Sequence, residues 1–281
     1  MTTNVPSTQN QPPAEENRLS ALMKTPKVQE RFKEVLGDRT PVFMSSILSA
    51  YNANSGLKDA EPMSVIASAM IAATLKLPIN SSLGFAHIVP YSGKAQFQMG
   101  WKGFVQLCLR TGQYRTINVA LVYEGELVEY NRITGDLELN TNRKQSEKVV
   151  GYVAYFRLIT GFEKYLFMST EEVTAHGKKY SQTFKMKKGL WVDDFDAMAL
   201  KTVIKMLLSK WGIMSVDIEQ ALEADGGVKD TIEGQVVYAD NPADEKPKIT
   251  GAEGPGRLKS IINGDGKDKT DTAAGAGDGA I

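Results

Sequence analysis

The stretch "FAHIVPYSGKAQFQMGWKGFVQLCLRTGQYR", residues 85–115, carries two periodicities in succession, and that succession sets the fold class. Apolar and polar residues alternate on either side of Ser92-Gly93, the pattern of two strands joined by a tight turn. In the second strand Ala95, Phe97, Met99 and Trp101 point one way and Gln96 and Gln98 the other. From Trp101 to Thr111 the period lengthens to that of a helix. Trp101, Phe104, Val105, Cys108 and Leu109 share one side, and Lys102, Gln106 and Arg110 recur every four residues on the opposite one. Strand, turn, strand and helix within one stretch predict an α+β fold with a mostly antiparallel sheet and packed helices.

Working outward, 24–36, 40–53 and 62–76 show apolar residues at helical spacing, the last as Met63, Ile66, Ala67, Met70, Ile71 and Thr74. Downstream, "YRTINVALVYEGELVEYNRITGDLELN" predicts further strands with Thr-Gly-Asp as a turn. "VVGYVAYFRLITGFEKYLFMS" predicts a hairpin about Thr160-Gly161. Ser169 and Glu172 are spaced as a capping box at a helix start, and a long helix is expected over about 194–211, ending near Gly212. Residues 1–19 are polar and Pro-rich, and residues 223–281 are acidic and Gly-rich. Both read as disordered tails flanking a core at 20–222, because they lack the apolar surface to offset chain entropy. Within the second tail, "GRLKSIING" at 256–264 is the one segment suited to binding a partner.

A chain of 281 residues with one cysteine, Cys108, and two histidines, His87 and His176, has no disulfide framework and no Cys/His zinc set. The start "MTTNVPSTQNQPPAEEN" has no basic and apolar leader pattern, and no apolar run reaches the roughly 20 residues of a membrane span. A cytoplasmic location is expected.

The net charge is zero, yet it is unevenly spread. Residues 222–281 hold twelve acids against seven bases, whereas 18–221 hold 26 bases against 19 acids. A basic body with acidic ends suits a nucleic-acid partner. Three windows are purged of carboxylates: between Glu61 and Glu124, between Glu172 and Asp193, and between Asp196 and Asp217. The first keeps Lys94, Lys102, Arg110 and Arg115 beside Gln96, Gln98, Gln106 and Gln113. The second keeps Lys178, Lys179, Lys185, Lys187 and Lys188. The third keeps Lys201, Lys205 and Lys210. Each cation alone is compatible with a solvated face, and Lys201 and Lys205, four apart on one helix, repel each other modestly. Three such windows together point to a surface whose negative charge comes from phosphates, bound with counterion release. Single strands also stack on flat side chains; Tyr91, Tyr114, Tyr180 and Phe184 are candidates, each equally at home in a core.

Motifs for covalent chemistry are missing. No G-x-x-x-x-G-K-[ST] loop is present, which excludes ATP-driven strand exchange by that route, and nothing local suggests Ser/His/Asp or Cys/His catalysis. Asp193, Asp194 and Asp196 form the one nuclease-like cluster, since two-metal sites need convergent carboxylates. At a helix start the same acids serve equally as caps. A metal-dependent nuclease is therefore one reading of the chain, and a passive single-strand coat is another.

"LGFAHIVPYSGKAQFQMGWKGFVQLCLRTGQYRTINVALVYEGE" and "WVDDFDAMALKTVIKMLLSKWGI", in that order, resemble the two long motifs of the RecT family of phage recombinases. The resemblance spans about residues 20–222. It implies an ATP-independent single-strand annealing protein of α+β fold that binds single-stranded DNA and an annealed duplex intermediate. It further implies assembly into rings or helical filaments, and homologous recombination in a bacterial cytoplasm for a phage or prophage. A phage exonuclease and a host single-strand-binding protein are the implied partners. No cofactor is implied, and a magnesium dependence of annealing is not encoded in the motifs. Matched positions imply that Lys94, Gln96, Lys102, Arg110, Gln113, Lys201 and Lys205 face DNA. Leu200 stands where many relatives have a second lysine, and Lys205 where arginine is usual, replacing a two-pronged phosphate grip with a point charge.

Overall fold

The computed structural model describes residues 16–238. The expectations for the two tails, "GRLKSIING" included, lie mostly outside those residues.

Five helices come first: α1 (Glu16–Met23), α2 (Pro26–Leu36), α3 (Thr40–Ala53), α4 (Ser55–Lys58) and α5 (Pro62–Thr74). Prolines at the first turns of α2, α3 and α5 sit where the missing N–H costs nothing. In α5 every residue from Ser64 to Ala73 is buried. A helix that is apolar all round belongs in a core, and the acid-free composition of 62–74 needs no other cause.

The hairpin follows as β1 (Ala86–Tyr91) and β2 (Lys94–Met99), antiparallel with His87 opposite Gln98 and Tyr91 opposite Lys94. Ser92 and Gly93 both have positive φ, 48° and 77°, matching the twist that a two-residue turn needs. Two α5 serines fasten this hairpin: Ser64 Oγ accepts from Ala95 N at 2.8 Å and Ser68 Oγ donates to Ala95 O at 3.1 Å. Next, α6 (Trp101–Arg110) starts so close to the preceding loop that side chains are excluded. A Cβ on Gly100 would lie 2.0 Å from Gly84 O, and one on Gly103 would lie 2.2 Å from Phe85 O.

Strands β3 (Tyr114–Tyr123), β4 (Leu127–Tyr130), β5 (Leu137–Leu139), β6 (Val149–Leu158) and β7 (Glu163–Ser169) complete the antiparallel structure. β6 is central between β3 and β7, and β4–β5 form a separate hairpin turning at Thr134-Gly135-Asp136. One face of the three-stranded sheet, with Tyr152, Ala154 and Phe156, joins the main core. The other face packs Val122, Val153 and Phe167 against Tyr130, Leu137 and Leu139 in a second small core.

The final helices are α7 (Thr170–Tyr180), α8 (Gln182–Lys185), α9 (Leu190–Asp193), α10 (Phe195–Trp211) and α11 (Val216–Ala224). α7 opens with the expected capping box: Ser169 Oγ accepts from Glu172 N, and the Glu172 carboxylate accepts from Ser169 N. α10 buries Ala199, Val203, Ile204, Leu207 and Leu208 against the sheet and α6.

Past the expected boundary at 222, α11 runs on to Ala224, and the chain keeps contact with the hairpin beyond it. Gly226 N donates to Phe97 O at 3.0 Å and Phe97 N donates to Gly227 O at 3.2 Å. Residues 226–228 thus run along the outer edge of β2, and Val228 pairs in turn with Val237. A few apolar side chains, Val228 and Ile232 among them, are enough to hold the segment once β2 offers its backbone.

Candidate nucleic-acid interface

α10 begins on Asp194, whose side chain accepts from Ala197 N at 3.2 Å, and its helical period carries Lys201 and Lys205 to the same face. Lys201 is buried and Lys205 half-buried. Asp225 sits between them: Lys201 Nζ is 2.7 Å from Oδ1 and Lys205 Nζ is 2.7 Å from Oδ2. Met99 N also donates to Oδ1, at 2.9 Å. Burial pushes the Asp225 carboxyl up, but Lys201 and then Lys205 more than offset this and hold it at about 2. Burial moves Lys201 down, opposed by Asp225 and reinforced by Lys205. Two ammonium groups share one carboxylate, so the cluster keeps an excess positive charge.

Both histidines flank this cluster. His87 on β1 is shifted down by burial and then by Lys201; His176 on α7 is shifted down by burial and then by Lys205 and Lys179. Lys102 reaches the same region from the start of α6. A Cβ on Gly84 would lie 3.5 Å from Lys102 Cδ, and one on Gly100 would lie 3.4 Å from His87 Nε2. Lys102 and His87 thus border the loop at Gly84, Lys201 and Lys205 meet on Asp225, and Lys179 and Tyr180 lie beside His176 on α7. Lys185 at the end of α8 and Lys187 and Lys188 in the turn beyond it are all exposed, with Lys187 at φ 54°.

Other sequence candidates lie elsewhere or are engaged within the chain. Gln96 is 3% exposed, not on a solvated amide row; it donates to Gly226 O, and Gln98 donates to Gln96 Oε1 at 3.0 Å. These glutamines hold the segment after α11 against the hairpin. Lys94 forms an ion pair with Asp230 at 2.7 Å. Arg110 donates to Leu75 O at 2.7 Å and to Lys76 O at 2.9 Å, closing the end of α5. Gln106 is half-buried on α6. Gln113 and Arg115 are exposed past the far end of α6, a helix length of about 15 Å from Lys102. Lys210 is exposed at the end of α10, 5.5 Å from the centre of the Trp211 ring.

The acidic cluster does not converge. Asp194 is the α10 cap, Asp196 accepts from Tyr152 Oη at 2.7 Å, and Asp193 is exposed at the end of α9. Among the described residues no group of three or more His, Cys, Asp or Glu is arranged to hold a metal ion. Burial pushes the Cys108 thiol up to about 12, far from a nucleophilic thiolate. No described helix is long and apolar enough to cross a membrane.

Sequence reasoning missed Asp225, His87 and His176 as parts of this locality. Their partners lie more than twenty residues away in several cases, and neither histidine has a neighbouring motif. The one available signal was Asp225-Gly226-Gly227, an acid before two glycines at the edge of the acidic region.

Residues 41–241 match the RecT family. The chain is 49% identical over 215 residues to "Uncharacterized protein YqaK" of Bacillus subtilis (strain 168), covering 76% of this chain and 74% of that protein. It is 25% identical over 178 residues to "Protein RecT" of Escherichia coli (strain K12), covering 60% of this chain and 65% of that one. Motif order, fold and family match agree, and the chain belongs to the RecT family.

Proposed function

We propose that this protein binds single-stranded DNA and anneals complementary strands without ATP, as a binding and assembly protein and not an enzyme of covalent chemistry. Membership of the family supports a role in recombination, annealing and DNA binding. The observation that carries the finer reading is the cluster in which Lys201 and Lys205 share the Asp225 carboxylate, with exposed Lys102 and Lys179 on neighbouring elements. We read it as a path for a phosphate backbone met by Lys102, Lys205 and Lys179. Both carboxylate oxygens of Asp225 are occupied. Phosphates laid along this path release their counterions, and the lysines bind them without reading sequence. With the backbone held, base edges remain open to a second strand, and Watson–Crick pairing supplies selectivity. The annealed duplex is the intermediate that follows. Subunits adding head to tail extend the path, and an interface that does not close produces a helix whereas one that closes produces a ring.

The single-strand substrate has to come from a nuclease that resects duplex ends, which makes a phage exonuclease the expected upstream partner. A host single-strand-binding protein is the expected competitor for the same strand. No resident cofactor takes part in the proposed mechanism.

The test is annealing of complementary labelled oligonucleotides without nucleotide triphosphate across a salt series. Binding is expected to weaken steeply with salt, and the logarithmic slope to fall by about 0.7 for each phosphate that a substitution leaves unneutralised. Lys102→Ala with Lys179→Ala is expected to slow annealing and flatten that slope. Rates indifferent to salt and to both substitutions overturn the proposal. Protection of DNA with slowed annealing would make the protein a passive coat instead.

A further inference from the structure

Four aromatic residues in the sequence could meet bases, and their surroundings separate them. Tyr114 is 7% exposed, its hydroxyl accepts from Ile213 N at 2.9 Å, and its ring meets Phe156 edge-on. Phe184 is stacked on Trp191 with centroids 5.4 Å apart and touches Phe195. Tyr91 is half-buried at the hairpin end, in a pocket that includes Asp230. Tyr180 differs from all three: it is 51% exposed and stands among cations.

The position of Tyr180 follows from how α7 is seated. Gly177 faces inward, where a Cβ would lie 2.9 Å from the Phe184 ring and 3.1 Å from Trp191. With Gly177 and Val173 inward, His176 and Tyr180 fall four residues apart on an outer face. Their ring centroids are 4.6 Å apart, and Lys179 Nζ is 4.9 Å from the Tyr180 centroid. The tyrosine is therefore braced by a neighbouring ring while much of its surface stays open. Lys179 against the Tyr180 ring and exposed Lys178 beside it on α7 set the braced pair among cations. Trp211 is also exposed, but it has two lysines over its ring, Lys164 and Lys210, where Tyr180 has Lys179, and it stands ten residues beyond Lys201 on α10.

We infer that Tyr180, held by His176, is a stacking subsite for an unpaired nucleobase of the strand whose phosphates follow Lys205 and Lys179. This rests on the proposed single-strand binding and adds to it a means of preferring single strands. A duplex keeps its base faces stacked on one another, whereas a single strand can present one to the tyrosine. Stacking is tolerant of base identity, as an annealing protein requires. Bracing lowers the conformational entropy lost when the base arrives.

The experiment measures binding of the full chain to a labelled single-stranded oligonucleotide and to an abasic oligonucleotide of equal length, at one fixed salt concentration. Tyr180→Ala is expected to weaken binding to the normal strand by about 5- to 100-fold and to leave the abasic strand within twofold. Tyr180→Phe keeps the ring and is expected to bind as the wild type does. Equal loss on both strands, or loss on neither, overturns the stacking subsite while leaving phosphate binding intact. If the wild-type chain binds neither strand, the single-strand reading itself fails, and the subsite with it. Tyr180→Trp supplies an independent readout: its added fluorescence should be quenched by the normal strand and not by the abasic one. Equal quenching by both strands counts against stacking.

Discussion

Two acid-free windows look alike in sequence and differ in the folded protein. Between Glu61 and Glu124 the missing carboxylates have mostly internal causes. α5 is acid-free because it is buried, Gln96 and Gln98 hold the segment after α11, Arg110 closes α5, and Lys94 meets an acid from residue 230. Between Glu172 and Asp193, Lys178, Lys185, Lys187 and Lys188 are exposed and have no ion pair among the described residues. A lack of acids can thus mean a core that excludes charge or a surface kept clear for a polyanion. Only three-dimensional partners tell the two apart. In the first window, Lys102 is exposed at the start of α6 and has no ion pair among the described residues.

The sharpest way to break the contrast is to remove Asp225. Asp225→Ala leaves Lys201 buried without its partner and is expected to cost about 3–5 kcal/mol in denaturant unfolding. Lys187→Ala or Lys188→Ala should stay within about 0.5 kcal/mol of wild type. A mild effect at Asp225 would erase the distinction between engaged and open cations.

Replacing Lys178, Lys185, Lys187 and Lys188 together by Gln probes the open window. Stability should barely change, while the salt dependence of single-strand binding should fall by about 0.7 in logarithmic slope for each lysine that meets a phosphate. An unchanged slope would remove this turn from the interface. Arg110→Ala is the complementary case. Loss of its bonds to two backbone carbonyls should cost about 1–2 kcal/mol of stability, with single-strand affinity of the folded protein within twofold of wild type. A large loss of affinity at wild-type stability would instead support Arg110 as a DNA-facing residue.

The smallest expected effect concerns pH. His87 and His176 are shifted down in the folded protein, chiefly by burial, so the unfolded chain takes up protons first as pH falls below about 6.5. Folding stability is therefore full above that pH and declines below it. His87→Gln with His176→Gln should flatten the decline in thermal unfolding followed from pH 7.5 to 5.5. An unaltered profile would place the acid sensitivity elsewhere.

Local signals survived the passage from sequence to structure. The Ser92-Gly93 turn, the capping box at Ser169 and Glu172, the helix from Trp101 and the long helix after Asp194 all depend on neighbours within a few residues. The family motifs added the right glycines, and the close approach of Gly100 and Gly103 to the loop at Gly84 and Phe85 explains why no larger residue fits. What stayed hidden was long-range. Nothing near Gln96 announces that residues 226–228 will cover it, and nothing near Lys201 announces a carboxylate at 225. The alternation in β2 correctly separated Phe97 from Gln96 but could not say that both sides would be buried.

The attachment of residues 225–228 has a consequence for how the molecule is made. Met99, Lys201 and Lys205 converge on a group that leaves the ribosome after all of them. Until it emerges, the nascent chain carries an unsatisfied strand border and two repelling ammonium groups, the kind of exposed seam on which partly made proteins clump. A released chain truncated shortly before this point should be prone to aggregate, whereas one that includes residues 225–238 can seal the strand border.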